Sequence, residues 1–444
     1  MIQGNQSVLN SDREDSSTHR YWKAVRRVDE WIERHGHAGN DPYDVLGSPL
    51  LVYLRSSRLD PVSVVASKVT TQSSFRKNVK TLLVPIYQSA AFMRLLRLVL
   101  GVRKTINPKS MGLLVQGYVQ LHKLAPEEEY LNKIDYSLRW LMEHTNQDFG
   151  KYCWGIPYVW QMVNPNCRIP RGGAQSTLTA VNGLGFLDAF ELTGNEQYLD
   201  VAKSCCDFFL ENLNIDRIND RQIAFSYTPY DRTHVLNVNL HCGALLSRVW
   251  KHTRTDRYLD ACLAAAEFTI VHQREDGAWH YSSHLDGFIN AVDNYHTGDN
   301  LEYLLAIRSS VPDFPFEQSL KKGLDYYLAH FFLESGFPKY TDELLFPVDI
   351  HSCAQSIITL AALSFYDDRC ASLAGKVACW TLDHMSDPEG YFYYRMYNAG
   401  SYDKSDYIGW GDAWMVKAFA LLLTNQAERD RIATTSTREG GIEL

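Results

Sequence analysis

The stretch Glu196-Gln-Tyr-Leu-Asp200 returns in closely related form at two other places, Glu128-Glu-Tyr-Leu-Asn132 and Asp256-Arg-Tyr-Leu-Asp260. Each copy follows an apolar segment at a similar distance and begins a segment with the spacing of an amphipathic helix. A Tyr-Leu pair that recurs at nearly constant spacing indicates a duplicated unit of two helices. Two more divergent copies of the unit follow, at 316–320 and 368–371. This repeat decides the predicted fold.

The first helix of each unit is predicted from an apolar segment, and these segments lie about 60 residues apart. They begin near Gly112, Ser176, Leu236, Asn294, Ile350 and Gly411. A segment such as 235–249 is apolar almost all round, which is typical of a helix buried on both sides, whereas the second segments carry charge on one face. An apolar inner ring inside an amphipathic outer ring is an all-α fold, the (α/α)6 toroid.

The domain prediction follows from this repeat. Residues 1–17 are polar and predicted to be disordered, residues 18–428 form a single toroid domain, and residues 429–444 form a flexible tail. Residues 36–110 are an irregular helical part of the toroid or a cap over it. The helix predicted at 18–35 would supply the outer partner of the last inner helix and close the ring.

The composition limits the classes of binding partner and the compartment that we expect. A net charge of -8 argues against a general nucleic-acid binder. The 9 cysteines are odd in number and contain no CxxC pair, which favours buried free thiols in a cytoplasmic protein. The most apolar stretch, Thr81 to Gly101, is interrupted by Arg94 and Arg97, so no membrane span is expected.

Long loops that return to the inner helices are predicted to lie together on one face of the ring, where binding sites are common. These loops are 147–175, 215–234, 274–293, 334–349 and 387–409. They are rich in aromatic residues, carboxylates, histidine and arginine, a set that favours a cleft for an oligo- or polysaccharide.

The candidate site residues come from these loops and from the helix starts that follow them. The predicted catalytic residues are Tyr394, Tyr230, His296 and His351. The predicted substrate-binding residues are Trp154, Trp160, Arg171, His234, Trp279, Asp293, Tyr295, Asp349, Arg395, Trp410 and Asp412.

Structural roles remain open beside these functional ones. Asp293 and Asp349 each precede a histidine at a helix start, and both are good N-cap residues. The spacing of Asp349, His351 and Cys353 suits zinc poorly, because no second cluster completes four ligands. Since there is no phosphate-binding glycine motif either, the sequence predicts neither a metal nor a cofactor.

Two resemblances bear on function. The segments Gln175–Gly183 and Leu192–Leu199 resemble the helical C-terminal domain of D-glucuronyl C5-epimerases. The whole chain more closely resembles bacterial α/α-toroid proteins of capsule or exopolysaccharide biosynthesis. The segments that carry this second resemblance are Asp41–Leu50, Gly101–Lys109, Asp293–Gly298 and Asp349–Gln355. It implies a role beside the polysaccharide synthesis machinery.

The first functional hypothesis is an enzyme that acts at C5 of a uronic-acid residue, as an epimerase or a lyase. It would need a base, a cation for the carboxylate (Arg395, Arg171 or His296) and a group on the opposite sugar face, with Tyr394 and Tyr230 on different loops as candidates.

Two alternatives remain open. A glycoside hydrolase similar to unsaturated-uronyl hydrolases would need paired carboxylates. The candidates are Asp231, Asp293, Asp349 and Asp412. The other alternative is a non-catalytic partner of a polysaccharide synthase that binds glycan or protein.

Overall fold

The structure is a computed structural model that describes residues 17–47, 90–161, 168–283 and 291–439. The predicted disordered N-terminus lies outside the described residues, apart from Ser17, where the first helix begins. Much of the predicted cap, 48–89, also lies outside them.

The described part of the chain is mainly helical. In chain order the helices are α1 (Ser17–Arg34), α2 (Ala90–Leu100), α3 (Pro108–Leu124), α4 (Glu128–Glu143), α5 (Ser176–Thr193), α6 (Glu196–Asn212), α7 (Leu236–Thr253), α8 (Asp256–Val271), α9 (Asn294–Ser310), α10 (Glu317–His330), α11 (Ile350–Ala362), α12 (Asp368–Met385) and α13 (Ala413–Glu439).

Short antiparallel strands lie in the loops between the helices. They are β1 (Ala38–Gly39), β2 (Thr105–Ile106), β3 (Trp160–Gln161), β4 (Arg168–Ile169), β5 (Ile215–Asn219), β6 (Gln222–Phe225), β7 (Val348–Asp349), β8 (Tyr393–Asn398) and β9 (Ser401–Asp406). Strand β8 pairs with both β7 and β9, so that the last long loop is tied to the start of α11.

The helices form two concentric rings. In the inner ring α3, α5, α7, α9, α11 and α13 each pack against the next, and α13 packs back on α3. In the outer ring α4, α6, α8, α10 and α12 each pack on the inner helix before them, and α1 packs on α13. The inner helices are buried almost all round, whereas the outer helices bury one face. The predicted all-α (α/α)6 toroid is therefore confirmed.

Most of the predicted helix starts agree with the structure. Inner helices begin at the predicted residues Ser176, Leu236, Asn294 and Ile350. The first inner helix begins earlier than predicted, at Pro108, because the side chain of Asn107 accepts a hydrogen bond from a backbone N–H of the first turn and proline suits the first helical position.

Helix α1 closes the outer ring through a buried polar contact. The carboxylate of Asp29 accepts a hydrogen bond from the Tyr118 hydroxyl at 2.5 Å and lies 2.6 Å from the ammonium of Lys133. Nearer the N-terminus of α1, the ring of Tyr21 stacks on Phe419 of α13 at 5.7 Å. The N-terminal helix is thus the missing outer partner, as the sequence predicted.

The last helix passes the predicted boundary of the flexible tail at 428. Arg429 donates a hydrogen bond to the carbonyl of Ser364 and lies 2.8 Å from the carboxylate of Asp368, and α13 continues to Glu439. The first residues assigned to the tail therefore extend the last inner helix.

Helix α2 accounts for part of the apolar stretch at 81–101. Its Arg97 is buried, pairs with Asp44 at 3.0 Å and donates to the Tyr407 hydroxyl at 3.1 Å. No helix in the described residues is both long and apolar enough to cross a membrane.

The close approach of α3 and α5 gives a test of the packing. A Cβ atom at Gly112 would lie 2.2 Å from Asn182 Oδ1 and 2.9 Å from its Cα, so the two inner helices would have to separate. We expect Gly112→Ala to lower the free energy of unfolding by about 1–3 kcal/mol, the usual cost of overpacking. Chemical denaturation followed by circular dichroism measures the change.

The matched control is Gly375→Ala in outer helix α12, where the nearest atom to an added Cβ is the Tyr21 hydroxyl at 3.6 Å. We expect this variant to be unchanged or more stable, by up to about 1 kcal/mol, because alanine is the better helix former. Equal losses in both variants would contradict the packing argument.

Candidate functional site

The starts of the inner helices converge with the long loops at one end of the ring. A group of side chains from α3, α9, α11, α13 and the turn before α13 meets there, and we call it the central cluster. Its members are Lys109, Tyr295, His296, Asp299, His351, Trp410 and Trp414.

Asp293 and His296 form a pair at the start of α9. One oxygen of Asp293 accepts the backbone N–H of His296 at 2.8 Å, which is the predicted N-cap, and the other lies 2.7 Å from His296 Nδ1. Burial opposes the charged imidazolium, but the carboxylate of Asp293 outweighs it and raises the pKa of His296 above its usual value. The His296 side chain is 27% exposed, so the imidazole is fixed on one side and accessible on the other.

Asp349 holds an equivalent position at the start of α11. One oxygen accepts the backbone N–H of His351 at 2.9 Å and the indole N–H of Trp410 at 3.0 Å. The other accepts the Nε–H of Arg395 at 2.6 Å. The Nη groups of Arg395 make no hydrogen bond to a described residue, although its guanidinium lies over the rings of Tyr394 and Tyr340 at 4.6 and 5.8 Å.

His351 lies in a box of aromatic rings. Its ring centroid is 3.9 Å from that of Tyr295, 4.3 Å from Trp414 and 4.7 Å from Trp410. The residue is 3% exposed, and neither ring nitrogen has a hydrogen-bond partner among the described residues. Burial and the nearby charge of Lys109 lower the pKa of His351 well below its usual value, so this imidazole is neutral.

Lys109 enters the cluster from the start of α3. Its ammonium lies 4.5 Å from the ring centroid of Trp414 and donates to the Tyr295 hydroxyl at 3.4 Å. Burial lowers the pKa of Lys109 to about 8, against the opposing pull of the Asp299 carboxylate. The amine can therefore exchange a proton near neutral pH.

A polar layer lies one helical turn below this level. Asp299 is fully buried, and one oxygen accepts from Asn237 Nδ2 and from His241 Nε2, both at 3.0 Å. Although burial opposes ionisation, the interaction with His241 and the charge of Lys109 lower the pKa of Asp299, so a carboxylate charge lies at the base of the cluster.

The cap segment also reaches the cluster. Burial raises the pKa of Asp41 to about 6, and its carboxylate accepts the hydroxyl of Tyr158 at 2.5 Å and the side-chain amide of Asn107 at 3.4 Å. Tyr43 packs edge-on against Trp410 at 5.5 Å. The segment before the first inner helix therefore forms one wall of the site.

The structure brings together part of the predicted set. The residues that meet at or beside the central cluster are Asp293, Tyr295, His296, Asp349, His351, Tyr394, Arg395 and Trp410. Tyr394 is buried beneath Arg395, with its ring 5.0 Å from that of Tyr407.

Two predicted sugar-stacking residues belong to the core instead. Trp154 is 1% exposed and its indole N–H donates to the carbonyl of Leu141, near the end of α4. Trp279 is 2% exposed and donates in the same way to Thr269, near the end of α8. Each ring fills the space between an outer helix and the inner ring, and its N–H donates to a carbonyl in the last turn of the outer helix that also accepts a backbone N–H.

Four more predicted residues lie away from the cluster. Tyr230 is 41% exposed and neighbours Phe149 at 6.4 Å, on the side of the outer helix α6, so its catalytic role opposite Tyr394 stays a prediction that this position does not favour. His234 packs on Phe268 of α8 and lies 2.9 Å from the carboxylate of Asp216.

The other two lie in the loop 147–175. Arg171 is exposed in the turn after β4 and makes no hydrogen bond or ion pair to a described residue. Trp160 is half-buried in β3 and packs edge-on against Tyr227 at 5.4 Å. Neither contacts the central cluster.

Asp412 has a structural position. It is fully buried, and its Oδ1 accepts the backbone N–H of Phe392, which fixes the segment before β8 to the start of α13. Burial raises the pKa of Asp412 to about 8, and its second oxygen has no partner among the described residues. A direct contact with substrate, as predicted, does not fit this burial.

Sequence reasoning missed several members of the site, namely Lys109, Asp299, His241, Asp41 and Tyr340. A usable signal existed for Asp299, since it lies on the same helical face as His296, three residues later. Lys109 follows Pro108 at a helix start, but nothing in its neighbourhood marks it as a site residue.

The burial of Asp412 predicts a pH effect on stability. Its pKa is raised on folding from 3.8 to about 8, so between these pH values the unfolded chain releases a proton that the folded chain keeps. This difference in bound protons makes the free energy of unfolding fall as pH rises, by at most about 1.4 kcal/mol per pH unit.

Asp412→Asn keeps the oxygen that accepts from Phe392 but has no proton to lose. We expect the melting temperature of the wild type to fall relative to this variant between pH 5 and pH 8, as scanning calorimetry would measure. Parallel melting curves across this range would rule out a neutral Asp412 in the folded chain.

No protein-family model and no curated protein matches this chain. Solved structures of carbohydrate enzymes share its fold. Cellobiose 2-epimerase from Bacillus thermoamylovorans matches at 11% identity with a TM-score of 0.57, covering 72% of this chain and 88% of that chain. A possible member of the GH105 family from Salmonella enterica matches at 10% identity with a TM-score of 0.59, covering 97% and 100%.

An unsaturated glucuronyl hydrolase specific for heparin matches at 12% identity with a TM-score of 0.54, covering 74% of this chain and 88% of that chain. At such identities the similarity shows the fold alone. The (α/α)6 toroid that epimerases and glycoside hydrolases share is therefore the fold of this chain, and the predicted likeness to C5-epimerases stays a prediction.

Proposed function

We propose that the protein is a carbohydrate-active enzyme that moves a proton at a carbon next to a carboxylate, as a uronic-acid epimerase or lyase. The observation that carries the proposal is the 2.7 Å contact between Asp293 and His296 Nδ1 on a partly exposed imidazole. This arrangement is that of a general base: the carboxylate holds one nitrogen in its protonated form, and the other nitrogen offers its lone pair to the substrate.

Removal of the C5 proton requires a cation in the site. The C5 proton of a uronic acid is very weakly acidic because the adjacent carboxylate is already negative, so charge that develops in the transition state must be neutralised. Arg395 suits this role. Its Nε is fixed by Asp349 at 2.6 Å, and its Nη groups make no hydrogen bond to a described residue and can bind a carboxylate.

Tyr340 connects the two parts of the site. Its carbonyl accepts the backbone N–H of Asn294, beside Asp293, and its ring lies 5.8 Å from the guanidinium of Arg395. Burial, followed by the charge of Asp349, raises the pKa of Tyr340 to about 12, so the hydroxyl is neutral. The ring is a flat surface on which a sugar can stack between base and cation.

The carboxylates considered for a hydrolase are otherwise engaged. Asp231 accepts hydrogen bonds from the backbone and hydroxyl groups of Thr228 and Thr233 with both its oxygens. Asp293 and Asp349 cap helices and bind His296 and Arg395, and Asp412 is buried. Paired free carboxylates are what a glycosidase requires. Because all four carboxylates are buried or already hydrogen-bonded, the site favours proton transfer over hydrolysis.

Proton exchange tests the proposal. The purified protein is incubated in heavy water with glucuronate, galacturonate and mannuronate polymers, and C5 deuterium is measured by NMR and unsaturated product by ultraviolet absorbance. We expect one of these signals with at least one polymer, and its loss of at least about 100-fold in His296→Gln. A reducing disaccharide serves as a further substrate, since some structurally similar proteins are sugar epimerases.

The outcomes separate the alternatives. Exchange only at C2 of the reducing sugar would support proton transfer as the reaction but would reject a uronic acid as the substrate. Release of reducing ends without exchange would favour a hydrolase. No reaction with any substrate, together with glycan binding, would favour a non-catalytic role.

The raised pKa of His296 predicts the pH range in which the reaction rate falls on acidification, the acid limb of the rate profile. A base acts when deprotonated, so kcat/KM should fall as pH drops through a pKa above 6.5, the ordinary value for histidine. Asp293→Asn removes the charge that raises this pKa, and the limb should move to lower pH. Because asparagine caps helices as well as aspartate does, stability should change by less than about 1 kcal/mol.

Asp367→Asn is the matched control. Asp367 caps outer helix α12 through the backbone N–H of Arg369, away from the central cluster. Its variant should leave the profile unchanged, and an acid limb that moves equally in both variants would contradict the assignment of His296 as the base.

A further inference from the structure

Inversion at a carbon requires a proton donor on the face opposite the base. The loop sequences make Tyr394 and Tyr230 candidates for this role, but Tyr394 is buried beneath Arg395 and Tyr230 lies over an outer helix. The central cluster contains another group with a transferable proton. This group is Lys109.

Lys109 has spare hydrogen-bonding capacity. An ammonium carries three donors. The Nζ of Lys109 donates to the Tyr295 hydroxyl at 3.4 Å, and no other hydrogen bond or ion pair to a described residue uses it. Lys417, the other lysine near the ring axis, is instead paired with Glu302 at 2.7 Å. Lys109 is thus the lysine with donors available to a substrate.

The position of Lys109 in the ring suits action on the opposite face. It belongs to α3, and His296 belongs to α9, which is separated from α3 by two inner helices in either direction. The two side chains therefore start from opposite walls. Tyr295 lies between them, since its ring centroid is 4.7 Å from that of His296 while its hydroxyl accepts from Lys109.

We propose that Lys109 is the second proton-transfer residue of the site, which delivers a proton to the sugar carbon on the face opposite His296, with Tyr295 as its positioning residue. The inference rests on the proposed function and adds inversion to it: it selects an epimerase over a lyase.

Each turnover removes one proton from C5 and returns one to the opposite face. The C5–H bond breaks, its proton goes to His296 Nε2, and its electron pair enters the conjugated carboxylate. An Nζ–H bond of Lys109 then breaks and a new C5–H bond forms on the other face, leaving a neutral amine. Water takes the proton from His296 and another water returns one to Lys109. In the reverse direction the neutral amine is the base and the protonated imidazole is the acid.

The electrostatics of the cluster are compatible with this cycle. Burial lowers the pKa of Lys109 to about 8, so both forms of the amine are populated near neutral pH. The charges that face Lys109 are the carboxylates Asp299, Asp41 and Glu302, the ammonium of Lys417 and the imidazolium of His296 when it is protonated.

The test is deuterium exchange without inversion. Lys109→Met removes the donor but leaves His296 in place. We expect epimerisation to fall at least about 100-fold, while the epimer whose proton faces His296 still exchanges C5–H for deuterium within about 10-fold of the wild-type rate. Lys109→Arg, the matched control, keeps the positive charge but cannot release a proton near neutral pH. It should behave like Lys109→Met.

Inversion that survives in either variant would overturn the inference. So would a wild-type enzyme that yields only unsaturated product, although the proposed function would then stand as a lyase. If the wild type neither exchanges nor eliminates with any uronate, the proposed function fails and takes the inference with it. Circular dichroism checks the fold of each variant.

Should both Lys109 variants fail to fold, Tyr295→Phe gives a second measurement. It removes the acceptor that stabilises the ammonium, so the alkaline limb of the epimerisation rate should move to lower pH. In the direction in which Lys109 donates the proton, only its ammonium form is active, so the rate falls once the ammonium loses its proton. An alkaline limb that does not move would show that Tyr295 does not position Lys109 and would overturn the inference.

Discussion

The carboxylate of Asp293 performs two tasks at once, and the site depends on this combination. One oxygen caps α9 and the other holds the imidazole of His296. A capping carboxylate is fixed by the helix backbone, and the cap itself stabilises the fold by about 0.5–2 kcal/mol. Asp349 repeats the arrangement one inner helix later, with Arg395 and Trp410 as its side-chain partners. Functional groups are therefore attached to rigid helix ends.

This arrangement works because every inner helix starts at the same end of the ring. The closure of α13 on α3 brings Trp414 against Lys109, two residues that are far apart in the sequence. Some buried polar atoms at this end of the ring have no hydrogen-bond partner among the described residues. Both nitrogens of His351 and one oxygen of Asp299 are buried without a described partner. A buried polar group without a partner costs about 1–3 kcal/mol, and such groups favour a site that a substrate completes.

The sequence predicts the ring well and the site in part, for physical reasons. The Tyr-Leu repeat is a local signal, and inner helices begin at Ser176 and Leu236 as predicted. Capped helix starts, such as the one before His296, are predictable for the same reason, whereas the roles of the residues there stay predictions. Trp154 and Trp410 are chemically alike, yet one is core and the other meets Asp349. Their roles depend on which helix lies beneath each ring, and spacing alone does not determine that.

Lys109 shows the limit most clearly, because the contacts of its ammonium, with Tyr295 and Trp414, come from distant segments. Its charge, with that of His296, helps to keep His351 neutral, and the carboxylate of Asp299 holds a negative charge beneath the three. The pKa values of Lys109, His296, Asp299 and His351 thus depend on one another, although these residues lie on three helices, α3, α9 and α11. An Asp-His pair could be formed by a single helix. Neighbouring groups with different protonation states must come from several helices, and a closed ring of helices brings those helices together.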